Sequence, residues 1–304
     1  MAEELLPPAP APTTEYCYRH PQTATAVHCT RCGRPICTEC MIPAPVGFQC
    51  PQCVEDARRA FRRGSSTALG GGPIVTKVLL AAILAVFVVE LAVGGAGSLL
   101  EGPNARQLVD LGALQPLLVA HGQFWRLFSA MFLHLGLMHI AFNAYALWLI
   151  GQMVEREFGH TEMAVIYLVS GFLASVASYV FGPVTSVGVG ASGAIFGIFG
   201  AFIAYNFKRR HLELASANLR WAATLLLLNL FLALAFHGID WRAHLGGLVA
   251  GLACGVIAEG WGTASQRRMV QVLGFASLIA IGVGLVLWRT DAIQALPIYQ
   301  QIFG

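Results

Sequence analysis

Charge is what this sequence has least of. Asp, Glu, Lys and Arg make up 12% of its 304 residues, about half of the roughly 25% found in soluble domains. Most of the chain is therefore excluded from an ordinary soluble fold. The formal net charge of +3 is too small to give the basic footprint of a nucleic-acid binder, and no nucleic-acid partner is expected. Met1–Thr14 is rich in Pro and Ala and has no apolar core of a signal peptide, so insertion is expected to come from internal segments. Cysteine is missing after residue 53, apart from Cys254, whose place inside an apolar run suits packing rather than chemistry.

What is present is a series of long apolar runs. A helix needs about 20 mostly apolar residues to cross a hydrocarbon core of about 30 Å. Segments near 75–94, 136–154, 163–182, 191–207, 220–237, 242–258 and 270–288 approach that length. Backbone groups cannot stay unpaired in lipid, so runs of this length predict helices. The chain is expected to be an all-α polytopic membrane protein in contact with a lipid bilayer. The connection over 95–135 is unusually long, and its Trp125-Arg126-Leu127-Phe128 is expected in the interface.

Lys and Arg near the span ends set the orientation. With a cytoplasmic N-terminus, the inner ends carry Arg58, Arg59, Arg62, Arg63, Lys77, Arg156, Lys208, Arg209, Arg210, Arg220, Arg267 and Arg268. The outer ends carry Arg106, Arg126, Arg242 and Arg289. This bias predicts an N-terminus inside and a C-terminus outside, and the expected location is a bacterial-type plasma membrane.

The first 53 residues read Cys17-x2-His20, Cys29-x2-Cys32, Cys37-x2-Cys40 and Cys50-x2-Cys53. Four such pairs supply the ligands of two tetrahedral zinc sites. Disulfides are the alternative, but the charge bias puts this head on the reducing side, and so short a segment needs metal to fold. The head resembles a B-box or RING-like finger. That resemblance implies interleaved pairing, with Cys17, His20, Cys37 and Cys40 on one ion and Cys29, Cys32, Cys50 and Cys53 on the other. Sequential pairing is the alternative, and His28 is a spare ligand. Saturated sites leave no open position for zinc catalysis, so the head is expected to bind a cytosolic protein or to position the rest.

Polar residues inside spans are functional candidates by default. Ser192 lies in Gly190-Ala191-Ser192-Gly193, followed by Gly197 and Gly200; His244 begins His244-x2-Gly247-x3-Gly251. Small residues four apart let helices lie close, and such contact would put His244 beside the Ser192 hydroxyl. A serine needs an adjacent base to become a nucleophile, and imidazole suits that task near neutral pH. Helix packing alone would also explain either motif. His139 and Asn143, four apart, share one helix face and offer N–H donors for a negative oxygen, or for a helix–helix contact. His134 is expected to face elsewhere in a structural role, and Asp240 to cap the helix that carries His244.

Together, Trp125-Arg126, His139-x3-Asn143, Glu155 with Gly159, Gly190-x-Ser192-Gly193 and His244-x2-Gly247-x3-Gly251, in that order, resemble the rhomboid family of intramembrane serine proteases over about 75–260. The resemblance implies a six-helix core with a seventh, C-terminal helix added. It implies a Ser192–His244 dyad without a third acid, with an oxyanion site from the Ser192 backbone, His139 and Asn143. Substrates would be transmembrane proteins. Phe196 stands where some members have a tyrosine, so a hydroxyl role there is lost while packing on the imidazole remains. The expected divisions are an unstructured 1–14, a zinc-binding head at 15–57, a linker at 58–73, the protease core at 74–260, and the seventh helix with its tail at 261–304. The competing readings are a rhomboid-like protein that binds or traffics membrane partners without cutting them, and a channel or transporter, for which no acidic relay is evident.

Overall fold

The computed structural model describes residues 14–44, 46–57, 72–95, 97–235 and 239–304. The expected N-terminal segment, the basic run Arg58–Arg63 and most of the Gly/Ser-rich linker lie outside them. The chain divides into two units, Met1–Gly72 and Pro73–Gly304.

Among its described residues, the first unit is helical over 51–57 and has one short pair of strands. Strand β1 (Ile42–Pro43) pairs antiparallel with β2 (Phe48–Gln49), Ile42 opposite Gln49. Its buried cluster is six cysteines and Ile36. One aliphatic side chain is far short of what a small domain needs to fold on apolar burial alone.

The second unit is helical. Its long helices are α1 (Ile74–Gly94), α2 (Gly136–Phe158), α3 (His160–Phe181), α4 (Ser192–Lys208), α5 (Glu213–Ala235), α6 (Trp241–Glu259) and α7 (Ala264–Gln294). Each apolar run of the sequence falls on one of them. Among the described residues, α1, α2, α3, α6 and α7 are long and apolar enough to cross a membrane. At 17 residues, α4 rises about 25 Å. It lies against α2, α3, α5 and α6, and most of it is buried. Its neighbours rather than lipid form its surroundings, which relaxes the demand for span length.

Close approach of α4 and α6 comes from glycine on both faces. A Cβ on Gly247 would overlap the Gly193 carbonyl, and one on Gly251 the Gly197 carbonyl. A Cβ on Gly255 would lie 2.8 Å from the Ala201 Cα. Backbone packs on backbone over three turns, which only small residues permit.

Helix ends are tied by buried polar groups. Glu155, near the end of α2, accepts from the Val75 and Thr76 N–H groups at 2.8 Å each and from the Thr76 hydroxyl at 2.6 Å. It also pairs with His160 at 2.5 Å. A carboxylate on the first free N–H groups of α1 satisfies them and complements the helix dipole.

The 95–135 connection is a chain of short helices, Ser98–Glu101, Ala105–Leu111, Pro116–Ala120 and Arg126–Ser129, ending in a 3-10 turn, Ala130–Phe132. Arg126 turns inward: its buried guanidinium donates to the Gln123 side chain at 2.7 Å and to the Val109 and Ala113 carbonyls at 2.6 and 3.0 Å, while Trp125 and Phe128 stay exposed. Short helices leave many carbonyls unpaired, and a guanidinium has enough donors to gather several.

Gly251→Ala forces a methyl into the Gly197 backbone, so a loss of about 1–3 kcal/mol is expected. Gly284, beside which nothing lies within 4 Å, tolerates the same change. Melting of the two variants in detergent checks this; equal melting temperatures would contradict the packing.

Candidate active site

Ser192 is the first residue of α4. The chain enters that helix through Gly190, whose φ of +128° is a conformation that suits glycine. A Cβ there would also lie 2.9 Å from His139 Nε2 and 3.5 Å from Ser192 Oγ. Two ties hold the approach. Leu114 and Gly188 exchange backbone hydrogen bonds at 2.8 and 2.9 Å, and the Gly190 N–H donates to the Ala130 carbonyl at 2.9 Å. The short-helix connection thus fixes the turn that presents Ser192. The Ile195 N–H bonds back to Ala191, so the N–H groups of Ser192, Gly193 and Ala194 precede the helix ladder and are free to receive negative charge.

His244 lies in the first turn of α6, with Nε2 2.8 Å from Ser192 Oγ. With the ring neutral and its proton on Nδ1, the hydroxyl donates to that nitrogen. Phe196, one turn after Ser192, stacks on the imidazole with centroids 4.3 Å apart and planes 11° off parallel. Asp240 caps α6, accepting from the Arg242 and Ala243 N–H groups at 3.1 and 3.3 Å, and accepts from the Ser178 hydroxyl. Among the described residues no carboxylate hydrogen-bonds the His244 ring. The pair can transfer a proton from hydroxyl to imidazole, which makes the serine a nucleophile.

His139 lies beside Gly190. Its Nδ1 accepts the Leu135 N–H at 3.0 Å, so the proton of the neutral ring is on Nε2, the nitrogen nearest Gly190. Asn143 is buried and donates one amide N–H to the His139 carbonyl at 2.9 Å, leaving a second N–H on that amide. Helical periodicity put both residues on one face; it did not show that the amide turns onto its own helix.

Two neighbours depart from the sequence expectation. His134 does not face away from His139: the rings meet edge to face, 5.2 Å apart. It precedes α2 in a turn, where spacing by helical period does not apply. Glu90 in α1 was overlooked, although it is an acid inside a span. It is fully buried and accepts the His134 backbone N–H at 2.7 Å.

In the head, the fold gathers two tetrads, Cys17, His20, Cys37, Cys40 and Cys29, Cys32, Cys50, Cys53, each with ligand atoms within 4.8 Å of one another. The first pair of the sequence thus meets the third, and the second the fourth. His20 Nδ1 is 3.2 and 3.6 Å from the Cys37 and Cys40 sulfurs, and the Cys32 and Cys50 sulfurs are 3.8 Å apart. Tetrahedral bonds of about 2.3 Å give edges near 3.8 Å, so the donors suit one ion per tetrad. All eight cysteines are free of disulfides. His28 is outside both tetrads, paired with Glu15. Burial works to raise the Cys17 and Cys29 thiols, yet backbone N–H groups aimed at each sulfur outweigh it and bring both down to about 6. Burial and neighbouring thiols push Cys40 up to about 11 and Cys53 to about 12. Sulfurs packed this closely can all be thiolates only around a cation.

Residues 121–260 match the family model of the Rhomboid domain. The chain is 36% identical over 221 residues to Rhomboid protease GluP of Bacillus subtilis, across 71% of this chain and 40% of that protein. It is 35% identical over 178 residues to RHOMBOID-like protein 1 of Arabidopsis thaliana, across 56% and 44% of the two. With RHOMBOID-like protein 2 of Arabidopsis thaliana it shares 32% over 211 residues, 65% of each. The chain therefore spans between 40% and 65% of the length of these relatives.

Gly190→Ala adds a methyl against the His139 ring in a backbone conformation strained for alanine, at a cost of about 1–3 kcal/mol. Gly188→Ala, whose Cβ would meet Leu114 at 3.4 Å, is expected to cost less. Thermal melting of both separates them, and a harmless Gly190→Ala would contradict the geometry of this turn.

Proposed function

The chain carries a rhomboid domain, and on that premise we propose that it is a serine endopeptidase that cleaves transmembrane protein substrates within the bilayer. The observation that supports this most is the Ser192 hydroxyl on His244 Nε2 at 2.8 Å, placed at the starts of two helices packed backbone to backbone. His244 takes the hydroxyl proton as Ser192 attacks the scissile carbonyl, and returns it to the leaving amine. The free N–H groups at the start of α4, with His139 Nε2–H and the second Asn143 N–H, receive the negative oxygen. Asp240 is engaged elsewhere, so the pair acts as a dyad.

The same reading assigns the head two structural zinc ions, one on Cys17, His20, Cys37 and Cys40, the other on Cys29, Cys32, Cys50 and Cys53. Bound there, zinc supplies cross-links and no chemistry, because every position is filled by protein. The head faces the cytoplasm, where it docks a soluble protein or positions the membrane unit. In the cell membrane, the bias of Lys and Arg among span ends supports an N-terminus inside, which puts the starts of α4 and α6 towards the outer surface.

Cleavage of a model transmembrane substrate by purified protein in liposomes tests the reading. Ser192→Ala and His244→Ala each abolish cleavage while inserting and melting like wild type. Cleavage near the wild-type rate by either variant would defeat the dyad and favour a membrane protein that binds partners without cutting them.

His139→Ala and Asn143→Ala are each expected to lower kcat by about a hundred- to a thousand-fold with little change in KM. The double variant should be less than additive because both donors face one charge. Loss of activity only in proportion to unfolding would make them packing residues.

Elemental analysis is expected to find two zinc ions per chain, with Cys29→Ser emptying one tetrad and sparing the other. Zinc-free protein with a folded head would contradict the assignment.

A further inference from the structure

Glu90 is the acid that the cleavage reading leaves without a role. It is buried near the end of α1, in a span of mean hydropathy 2.5. One oxygen accepts the His134 N–H at 2.7 Å; the other, Oε2, has no partner among the described residues. His134 is equally buried. Its Nδ1 donates to the Phe132 carbonyl at 3.2 Å, and its Nε2 is also without a partner. A buried carboxyl with half its hydrogen-bonding capacity unmet is expensive in a membrane. Burial of apolar surface would favour leucine at this position, so retaining a carboxyl needs a reason beyond stability.

The next residue supplies it. Leu135 directs its N–H onto His139 Nδ1 at 3.0 Å. This bond decides which nitrogen of His139 carries the proton, since the hydrogen bond on one ring nitrogen sets the state of the other. Two consecutive backbone N–H groups, of His134 and Leu135, thus point at Glu90 and at His139.

We propose that Glu90 is a positioning residue: by holding the His134 N–H it orients the following peptide, which fixes His139 with its proton on Nε2, aimed beside Gly190 and Ser192. This rests on His139 acting as a donor to the oxyanion. Glu90 touches neither substrate nor Ser192; it acts two hydrogen bonds away. What it needs is an acceptor oxygen rather than a charge, so glutamine serves in its place and leucine or methionine does not.

The test combines kinetics with nitrogen NMR of histidine-labelled protein in bicelles, the His139 signal being assigned by its loss in His139→Ala. In the wild type and in Glu90→Gln, His139 is a single tautomer protonated on Nε2, and kcat is unchanged within about twofold. In Glu90→Leu the tautomers mix, and kcat falls about tenfold or more while KM moves less than about twofold. Glu90→Met provides the same comparison if Glu90→Leu does not insert. The proposal is overturned if wild-type His139 is not protonated on Nε2, if the apolar variants keep both tautomer and kcat, or if Glu90→Gln loses as much as they do. The tautomer is read without substrate. A protein that cuts nothing would therefore sink the protease reading and leave the His139 result standing on its own.

Discussion

The contact on which the rest depends is that of α4 with α6 along their glycines. Gly193 and Gly197 lie under Gly247 and Gly251 with no room for a methyl between them. Any larger residue there separates the helix axes, and the reach between Ser192 and His244 is fixed by that separation. A hydrogen bond of 2.8 Å tolerates little change before it weakens. The distance between Ser192 and His244 and the helix packing are therefore one quantity in this fold.

A second constraint is that polar groups within the bilayer have no water to turn to. Glu155 takes up the first N–H groups of α1, Arg126 gathers the carbonyls of the short helices, and Asp240 caps α6. Each bond satisfies a helix end and also joins two parts of the chain. The head answers to a different constraint: too small for an apolar core, it collects cysteines and His20 at its centre.

Much of this was legible in the sequence, and unevenly so. Long apolar runs gave the helices because lipid imposes one length scale and one backbone solution. The glycine spacing after Ser192 and His244 pointed to a close pair because small-x3-small faces have one common use. Asp240 as a cap followed from its position at a helix start, and Phe196 on the imidazole from the resemblance to the rhomboid family. What escaped depended on turns. His134 sits before α2, so the five-residue spacing to His139 said nothing about direction. The short helices of 95–135 have no periodicity long enough to read. Asn143 illustrates the limit within a helix: its face was right, but the amide's choice of its own carbonyl depends on local competition for donors. Glu90 was visible as an acid in a span, and its partner, a backbone N–H 44 residues along the chain, was not.

The proposed protease rests on one chemical event, that His244 makes the Ser192 hydroxyl nucleophilic inside the bilayer. Treating the bilayer-embedded protein with a fluorophosphonate and mapping the adduct by mass spectrometry tests it directly. A single adduct on Ser192 is expected in the wild type, and none on the same time scale in His244→Ala. An adduct elsewhere, or equal modification of Ser192 without His244, would contradict the claim.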